Sequence, residues 1–140
     1  MPEAHLFTYR VSYGDTDRMD RVYYANYLEI CERARGELLR TAGFPYRKIE
    51  DEGFFFPVRR CRARYFGWAV YDDLLLCRTR ITRFRHATLV FATDIFRGES
   101  GKPLVSAEVE LACVDADGKP RLIPAKLRAS LASYAEGGPC

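Results

Sequence analysis

The sequence predicts a single α+β domain in which one long helix packs on one antiparallel sheet. Three observations point there. The chain has 140 residues, one domain's worth, of which 48% are apolar and 14% aromatic. A chain of this size can bury about 68–70% of the surface it exposes when unfolded. An apolar period of three and four residues runs from Tyr24 to Ala42, the mark of an amphipathic helix. Most of the remainder alternates every second residue between Gly, Pro and Asp turns, the mark of strands. A helix and a sheet that each have one apolar face cover one another. The repeated βα alternation of a doubly wound, dinucleotide-binding sheet is absent.

Taken in order, residues 5–13 alternate, with Phe7, Tyr9, Val11 and Tyr13 on one face and Thr8, Arg10 and Ser12 on the other. That is a half-buried strand. GDTDRMDR, 14–21, is small and charged and reads as a loop. In the helix that follows, Tyr24, Tyr27 or Leu28, Cys31, Ala34 or Arg35, Leu38 and Ala42 share the apolar face. Glu29 and Arg33 form a favourable i, i+4 pair. Gly43 and Pro45 end the helix after roughly five turns of 3.6 residues. Everything afterwards reads as strand and turn. Residues 54–66 form a strand with a bulge or an edge at Pro57, and 67–73 turn into a strand at 74–84. RHA, 85–87, is a short connector to 88–97; a Gly-rich hairpin at 98–102 leads to 103–114; and ADGK, 116–119, holds a DG turn. From Pro120 the tail is a short helix or a last strand, and 136–140 is expected to fray. The whole of 1–140 is one domain.

Composition excludes several classes. No run approaches ~20 apolar residues, so no transmembrane helix is expected, and MPEAHLFTYR lacks the layout of a signal peptide. The expected location is the cytoplasm. The five cysteines are scattered without a CxxC pair, and the histidines are His5 and His86. Reduced, mostly buried thiols follow, with no metal site. Net charge is +3, yet the 22 cationic side chains comprise 18 arginines and 4 lysines. Arginine suits bidentate phosphate contacts; a GC-rich coding bias accounts for it equally. Arg59, Arg60, Arg62 and Arg64 alternate on one strand with three on one face, a solvated or interface face rather than a nucleic-acid groove.

No GxSxG, Walker loop, GxGxxG or HExxH occurs. The unusual feature is Asp15-Thr16-Asp17-Arg18-Met19-Asp20, an acidic loop between a strand and the helix. Its carboxylates repel one another unless Arg18 and Arg21 compensate. A carboxylate ahead of a helix start has two uses. It can cap free N–H groups, or it can act as nucleophile or general base beside N–H groups that receive a developing oxyanion.

Tyr13-Gly14-Asp15-Thr16-Asp17, Val22-Tyr23-Tyr24-Ala25-Asn26-Tyr27-Leu28 and Glu32-Arg33-Ala34-Arg35 resemble the 4-hydroxybenzoyl-CoA thioesterase family of hotdog-fold acyl-CoA thioesterases. So do Gly43-Phe44-Pro45, Phe55-Phe56-Pro57-Val58 and Tyr71-Asp72-Asp73, and the likeness runs over about residues 5 to 125. The resemblance implies a long helix wrapped by a five- or six-stranded antiparallel sheet, a homodimer that often forms a homotetramer, and acyl-CoA sites at the dimer interface. It implies hydrolysis of an acyl-CoA to free acid and CoA without a cofactor, CoA being part of the substrate. Asp17 takes the position of the catalytic aspartate, as nucleophile or general base, and Tyr24 the position whose backbone N–H polarises the thioester oxygen. The Tyr24 phenol itself either packs in the core or touches substrate. Asp15 reads as structural, a cap or a partner for Arg18. Arg85, His86 and Thr88 align with a segment that binds CoA phosphates; the alternative is a plain exposed turn.

One departure stands out. Relatives carry glycine four residues before the Tyr24 position, where this chain has Asp20, and an aliphatic residue or histidine in place of Arg21. Aspartate tolerates the left-handed backbone better than most residues, but the extra charges can narrow the pocket or retune Asp17. The rivals are a thioesterase for acyl-carrier-protein or polyketide thioesters on the same fold, and a non-catalytic acyl-CoA-binding protein.

Overall fold

The computed structural model describes residues 3–98 and 101–136. Strand β1 is His5–Arg10, the long helix α1 is Asn26–Thr41, and a short helix α2 is Tyr46–Asp51. Strands β2 (Val58–Tyr65), β3 (Leu74–Phe84), β4 (Thr88–Arg97) and β5 (Val105–Ala112) follow, and helix α3 is Ala125–Leu131. The five strands form one antiparallel sheet in the order β1-β3-β4-β5-β2. The predicted α+β class, a long helix against one antiparallel sheet, is what the chain adopts.

The inner face of the sheet carries Leu75, Cys77, Ile81, Phe91, Ile95, Val105 and Val109, all buried. The face of α1 that meets it is Tyr27, Ile30, Cys31, Ala34, Leu38 and Leu39. Tyr27 and Ile30 lie over the half of the sheet that holds Leu75, Ile95 and Val105. Leu38 and Leu39 lie over the other half, where α2 and α3 add Ile49, Leu127 and Leu131. None of the described helices is long and apolar enough to cross a membrane.

Several boundaries differ from expectation for identifiable reasons. β1 stops at Arg10 rather than residue 13, because Tyr13–Asp15 closes into a 3-10 turn. α1 begins at Asn26, two residues after Tyr24. The strand expected at 54–66 starts at Val58, although Phe55 still bridges Val114, and its pairing with β5 shifts between Val58 and Arg60, the irregularity anticipated near Pro57. Helix α2 overturns the expectation of strand and turn alone beyond Gly43. The tail takes the helical option. The expected fraying at 136–140 falls, from 137 onward, outside the described residues, as do residues 99 and 100 of the hairpin.

Cys31, Cys77 and Cys113 are buried and free, and Cys61 is exposed and free. Burial pushes the thiols of Cys31 and Cys113 up to about 11 and that of Cys77 up to about 12, so none of the three is a thiolate at neutral pH. Arg60, Arg62 and Arg64 do share the outer face of β2. Arg60 pairs with Glu110 and Arg62 with Glu108 across the strand boundary.

Candidate active site

The loop between β1 and α1 is built by its own carboxylates. Asp15 Oδ2 accepts from the Ser12 N–H at 2.8 Å, the Ser12 hydroxyl at 3.0 Å and the Tyr9 phenol at 2.8 Å. These bonds hold the 3-10 turn and leave Asp15 no capacity for chemistry on that oxygen. Its carbonyl accepts from the Tyr23 N–H and the Asn26 amide, both at 2.9 Å. Asp15 is structural, as expected. Among the described residues, however, neither Arg18 nor Arg21 pairs with any carboxylate of the loop. Arg21 instead lies over the Trp68 ring, 3.8 Å from its centroid.

A small hairpin follows, closed by an antiparallel bridge between Thr16 and Val22. The Asp17 N–H donates to the Arg21 carbonyl at 2.8 Å, and the Asp20 N–H donates to the Asp17 carbonyl at 3.0 Å. Asp17 Oδ1 accepts from the Met19 N–H at 2.8 Å, an Asx turn that sets the carboxylate's direction. Its other oxygen has no protein partner among the described residues. The turn forces Asp20 to φ 62°, the left-handed conformation that glycine would take without cost. Asp20→Gly is therefore expected to hold or raise thermal stability, and Asp20→Val to lower it by about 1–2 kcal/mol, read by thermal denaturation of the two variants.

The hairpin delivers the chain to the start of α1. Val22 N–H donates to the Ala69 carbonyl at 2.9 Å, Asn26 N–H to the Tyr23 carbonyl at 2.8 Å, and Leu28 N–H to the Ala25 carbonyl at 3.1 Å. The Tyr24 N–H has no acceptor within the described protein, and it sits at the positive end of a 16-residue helix. The same loop thus holds, seven residues apart in sequence, a carboxylate oxygen and an amide that have no hydrogen-bond partner among the described residues. The Tyr23 phenol lies above its ordinary value, first through its hydrogen bond with Tyr24 and least through the charge of Asp17.

Tyr24 is 61% exposed, which corrects the expectation that its ring belongs to the core face of the helix. With the helix starting at Asn26, Tyr24 is out of phase with Tyr27 and Cys31. Its ring leans on Tyr23 at 4.8 Å and on Tyr65 at 6.4 Å, and the Tyr65 hydroxyl donates to the Tyr24 carbonyl at 3.1 Å. Tyr13 stacks on Tyr71 at 4.1 Å. Reading the residues in order could not bring Tyr65, Trp68 and Tyr71 to this loop. The Val22–Ala69 hydrogen bond does.

Arg85, His86 and Thr88 lie elsewhere. The Arg85 N–H donates to the Thr88 carbonyl at 2.8 Å, closing the β3–β4 hairpin, and the His86 carbonyl accepts from Ile123 N–H at 2.9 Å. The side chains of Arg85 and His86 are exposed beside a hollow shared with Arg83, Thr88 and Glu136. The Asp17 loop adjoins the opposite end of β3, where Val11 N–H donates to the Asp73 carbonyl at 2.9 Å. Ten steps of strand, roughly 30 Å, lie between the two ends. One protomer does not bring the two groups together.

A helix laid over a five-stranded antiparallel sheet defines a hotdog-fold domain. The chain belongs to the thioesterase-like superfamily, whose family model matches residues 11–131. It is 40% identical over 116 residues to the acyl-CoA thioester hydrolase YbgC of Escherichia coli, spanning 82% of this chain and 86% of that protein. A crystal structure of a probable thioesterase from Bartonella henselae superposes with a TM-score of 0.81 at 40% identity, covering 86% of this chain and 99% of that one. A 4-hydroxybenzoyl CoA thioesterase complexed with 4-hydroxybenzoyl CoA superposes with a TM-score of 0.83 at 22% identity, covering 92% and 99%. That last likeness is one of fold.

Proposed function

We propose that the protein hydrolyses an acyl-CoA thioester to a free acid and CoA, with Asp17 as nucleophile or general base and the Tyr24 N–H as oxyanion donor. The observation that carries this is the pairing, in one hydrogen-bonded loop, of an Asp17 oxygen and a Tyr24 amide that have no hydrogen-bond partner among the described residues. The thioester carbonyl is already electrophilic, so a carboxylate without a Ser–His pair suffices. Attack by Asp17 forms an acyl-aspartyl anhydride that water then cleaves; alternatively Asp17 takes a proton from a water that attacks directly. Either way the carbonyl oxygen gains charge as the tetrahedral centre forms, and the Tyr24 N–H at the helix start receives it. Collapse expels the CoA thiolate. No cofactor takes part. The family resemblance to 4-hydroxybenzoyl-CoA thioesterases supports this division of roles, and the buried free thiols fit a cytoplasmic enzyme.

Arg85, His86 and Thr88 are assigned to the CoA phosphates, which requires a second copy. β2 is an edge strand exposed along nearly all its length, an invitation to further pairing. Its Tyr65 end touches Tyr24, and its Val58 end pairs with Leu111, next to Ala112, which faces Thr88. Antiparallel pairing of β2 with its own copy reverses those ends. The Asp17–Tyr24 loop of one protomer then lies on the side of the other's Arg85–Thr88 hairpin. We therefore read the active form as a homodimer or a homotetramer built from it.

A second reading is a carrier-protein thioester as substrate. Arg60 and Arg62, 69% and 78% exposed, stand in a row with Arg64 on the outer face of the β2 edge, suited to an acidic carrier. Release of free thiol from aromatic, short, medium and long acyl-CoAs and from acyl carrier protein tests both. Turnover of an acyl-CoA class upholds the first reading and names its acyl group. Turnover of the carrier thioester alone favours the second, and binding of CoA esters without turnover overturns both.

A further inference from the structure

Helix α1 has two flanks beside its buried face. The flank toward β1 is occupied: Thr41 meets the His5 ring at 3.1 Å, and Arg33 lies over the Tyr9 ring at 5.6 Å. The opposite flank borders β2, where Tyr24 and Tyr27 meet Tyr65 at 6.4 and 5.8 Å. At about 100° per residue, Leu28, Glu32 and Arg35 fall on this second flank. Leu28 is half-buried and Glu32 exposed.

Arg35 is 6% exposed. Its Nε donates to the Tyr46 hydroxyl at 3.1 Å, and among the described residues no carboxylate pairs with it. A guanidinium so removed from water is costly unless an opposite charge comes with its neighbours. Three residues earlier, Glu32 has no cationic partner among the described residues and does not turn back to Arg35. Gly36, one turn beyond Glu32, keeps the flank low: a Cβ there would meet only Arg40 Nη1, at 4.0 Å.

The two unpaired charges are arranged to satisfy a copy of themselves. The midpoint of α1 falls between Arg33 and Ala34, and Glu32 and Arg35 stand equally far on either side of it. A two-fold axis that runs β2 antiparallel to its own copy also runs α1 antiparallel to its copy, on the same side of the joined sheet. With the axis passing the midpoint of α1, residues equidistant from that midpoint face each other. We propose that this flank of α1 docks on the same flank of a second copy, with Glu32 of one protomer closing on Arg35 of the other, twice across the axis. This rests on the dimer reading above and adds to it a specific charge lock that supplies the anion Arg35 lacks.

The test is the mass of the full-length protein by sedimentation equilibrium over graded concentrations, with helical circular dichroism to verify folding. Glu32→Arg, at an exposed position, sets like charges against each other and should raise the dimer dissociation constant by at least about 10-fold. The exchange Glu32→Arg with Arg35→Glu should bring it back to within a few-fold of wild type. Because Arg35 is buried, a neutral cycle supports the same decision if the exchanged chain does not fold. If the pair exists, Glu32→Ala combined with Arg35→Met costs no more dimerisation than either change alone. Dimerisation unaffected by Glu32→Arg overturns the lock, as does strict additivity in the neutral cycle. So does an Arg35→Met effect confined to KM for acyl groups ending in a carboxylate, which would make substrate the missing anion. A monomeric wild type overturns the lock and the dimer reading together. A dimer sensitive to Glu32→Arg that cleaves no thioester upholds the lock and overturns only the thioesterase reading, since the mass measurement involves no substrate.

Discussion

Asp17→Asn is expected to lower kcat for the preferred acyl-CoA by about 10²–10⁴-fold, the usual worth of a positioned base or nucleophile, while KM changes little. The reason lies in the Asx turn. Asparagine retains an Oδ1 that accepts from Met19 N–H, so the hairpin and the Tyr24 amide stay where they are. What is lost is the negative oxygen that has no other partner. A fall in kcat without a rise in KM marks an interaction made in the transition state alone. Turnover that survives the substitution removes Asp17 from the mechanism. A variant that fails through KM instead makes Asp17 a binding group. Single-turnover hydrolysis in ¹⁸O water then tests for an anhydride in the wild type: label in the Asp17 side chain records an anhydride opened at the aspartyl carbon. Label confined to the product acid is shared by a general base and by an anhydride opened at the acyl carbon, which trapping of the acyl-enzyme with hydroxylamine separates. Asp15→Asn serves as the contrast. Its carboxylate holds Ser12 and Tyr9, so its loss should register first as thermal stability.

The division of labour between these two aspartates was not legible in the residue order. Both precede the same helix, and capping and catalysis ask for the same side chain. The distinction comes from the 3-10 turn, which consumes Asp15, and from the Thr16–Val22 bridge, which presents Asp17. The long helix was legible because its apolar period is sustained over four turns, although the period alone placed Tyr24 inward. The helix begins only at Asn26, two residues after Tyr24, and the Tyr24 ring stays outside the core. Helix α2 was not legible: YRKIED offers only Tyr46 and Ile49 as apolar anchors, too little for a periodic signal. It forms because Pro45 fixes its entry, Ile49 reaches the core, and Tyr46 receives the Arg35 guanidinium. Strands β3 and β5 were legible from alternation, since each has one face in the core, whereas the alternation of β2 marks only its Arg-bearing outer face, the strand being exposed along nearly all its length. The strand ends were legible only in part: Pro57 marked the irregular start of β2, but the end of β1 depends on the turn that Asp15 closes with Ser12 and Tyr9, which residue order does not show.

The separation of Asp17 from the Arg85–Thr88 hairpin leads to a second large expected effect. If each site draws Asp17 and Tyr24 from one protomer and Arg85, His86 and Thr88 from the other, two defective chains can repair each other. Replacing all three hairpin residues by alanine should raise KM by about 10- to 100-fold through lost charge-assisted contacts with phosphate, with kcat nearly retained. Asp17→Asn fails in kcat. In a mixed dimer the Asp17→Asn chain lends its intact hairpin to the site whose Asp17 comes from the other chain, and the second site carries both defects. Unfolding the two variants together and refolding an equal mixture should therefore recover about a quarter of wild-type activity at low substrate, half of the dimers being mixed and half of their sites whole. Separately refolded samples, mixed afterwards, should show only the average activity of the two parents. A mixture no more active than the average of its parents would put both groups in one protomer's site, and the roughly 30 Å of β3 between them would then disqualify the hairpin as the phosphate anchor. Tyr24 provides the internal control, because its amide travels with Asp17 in the same loop and cannot be supplied in trans.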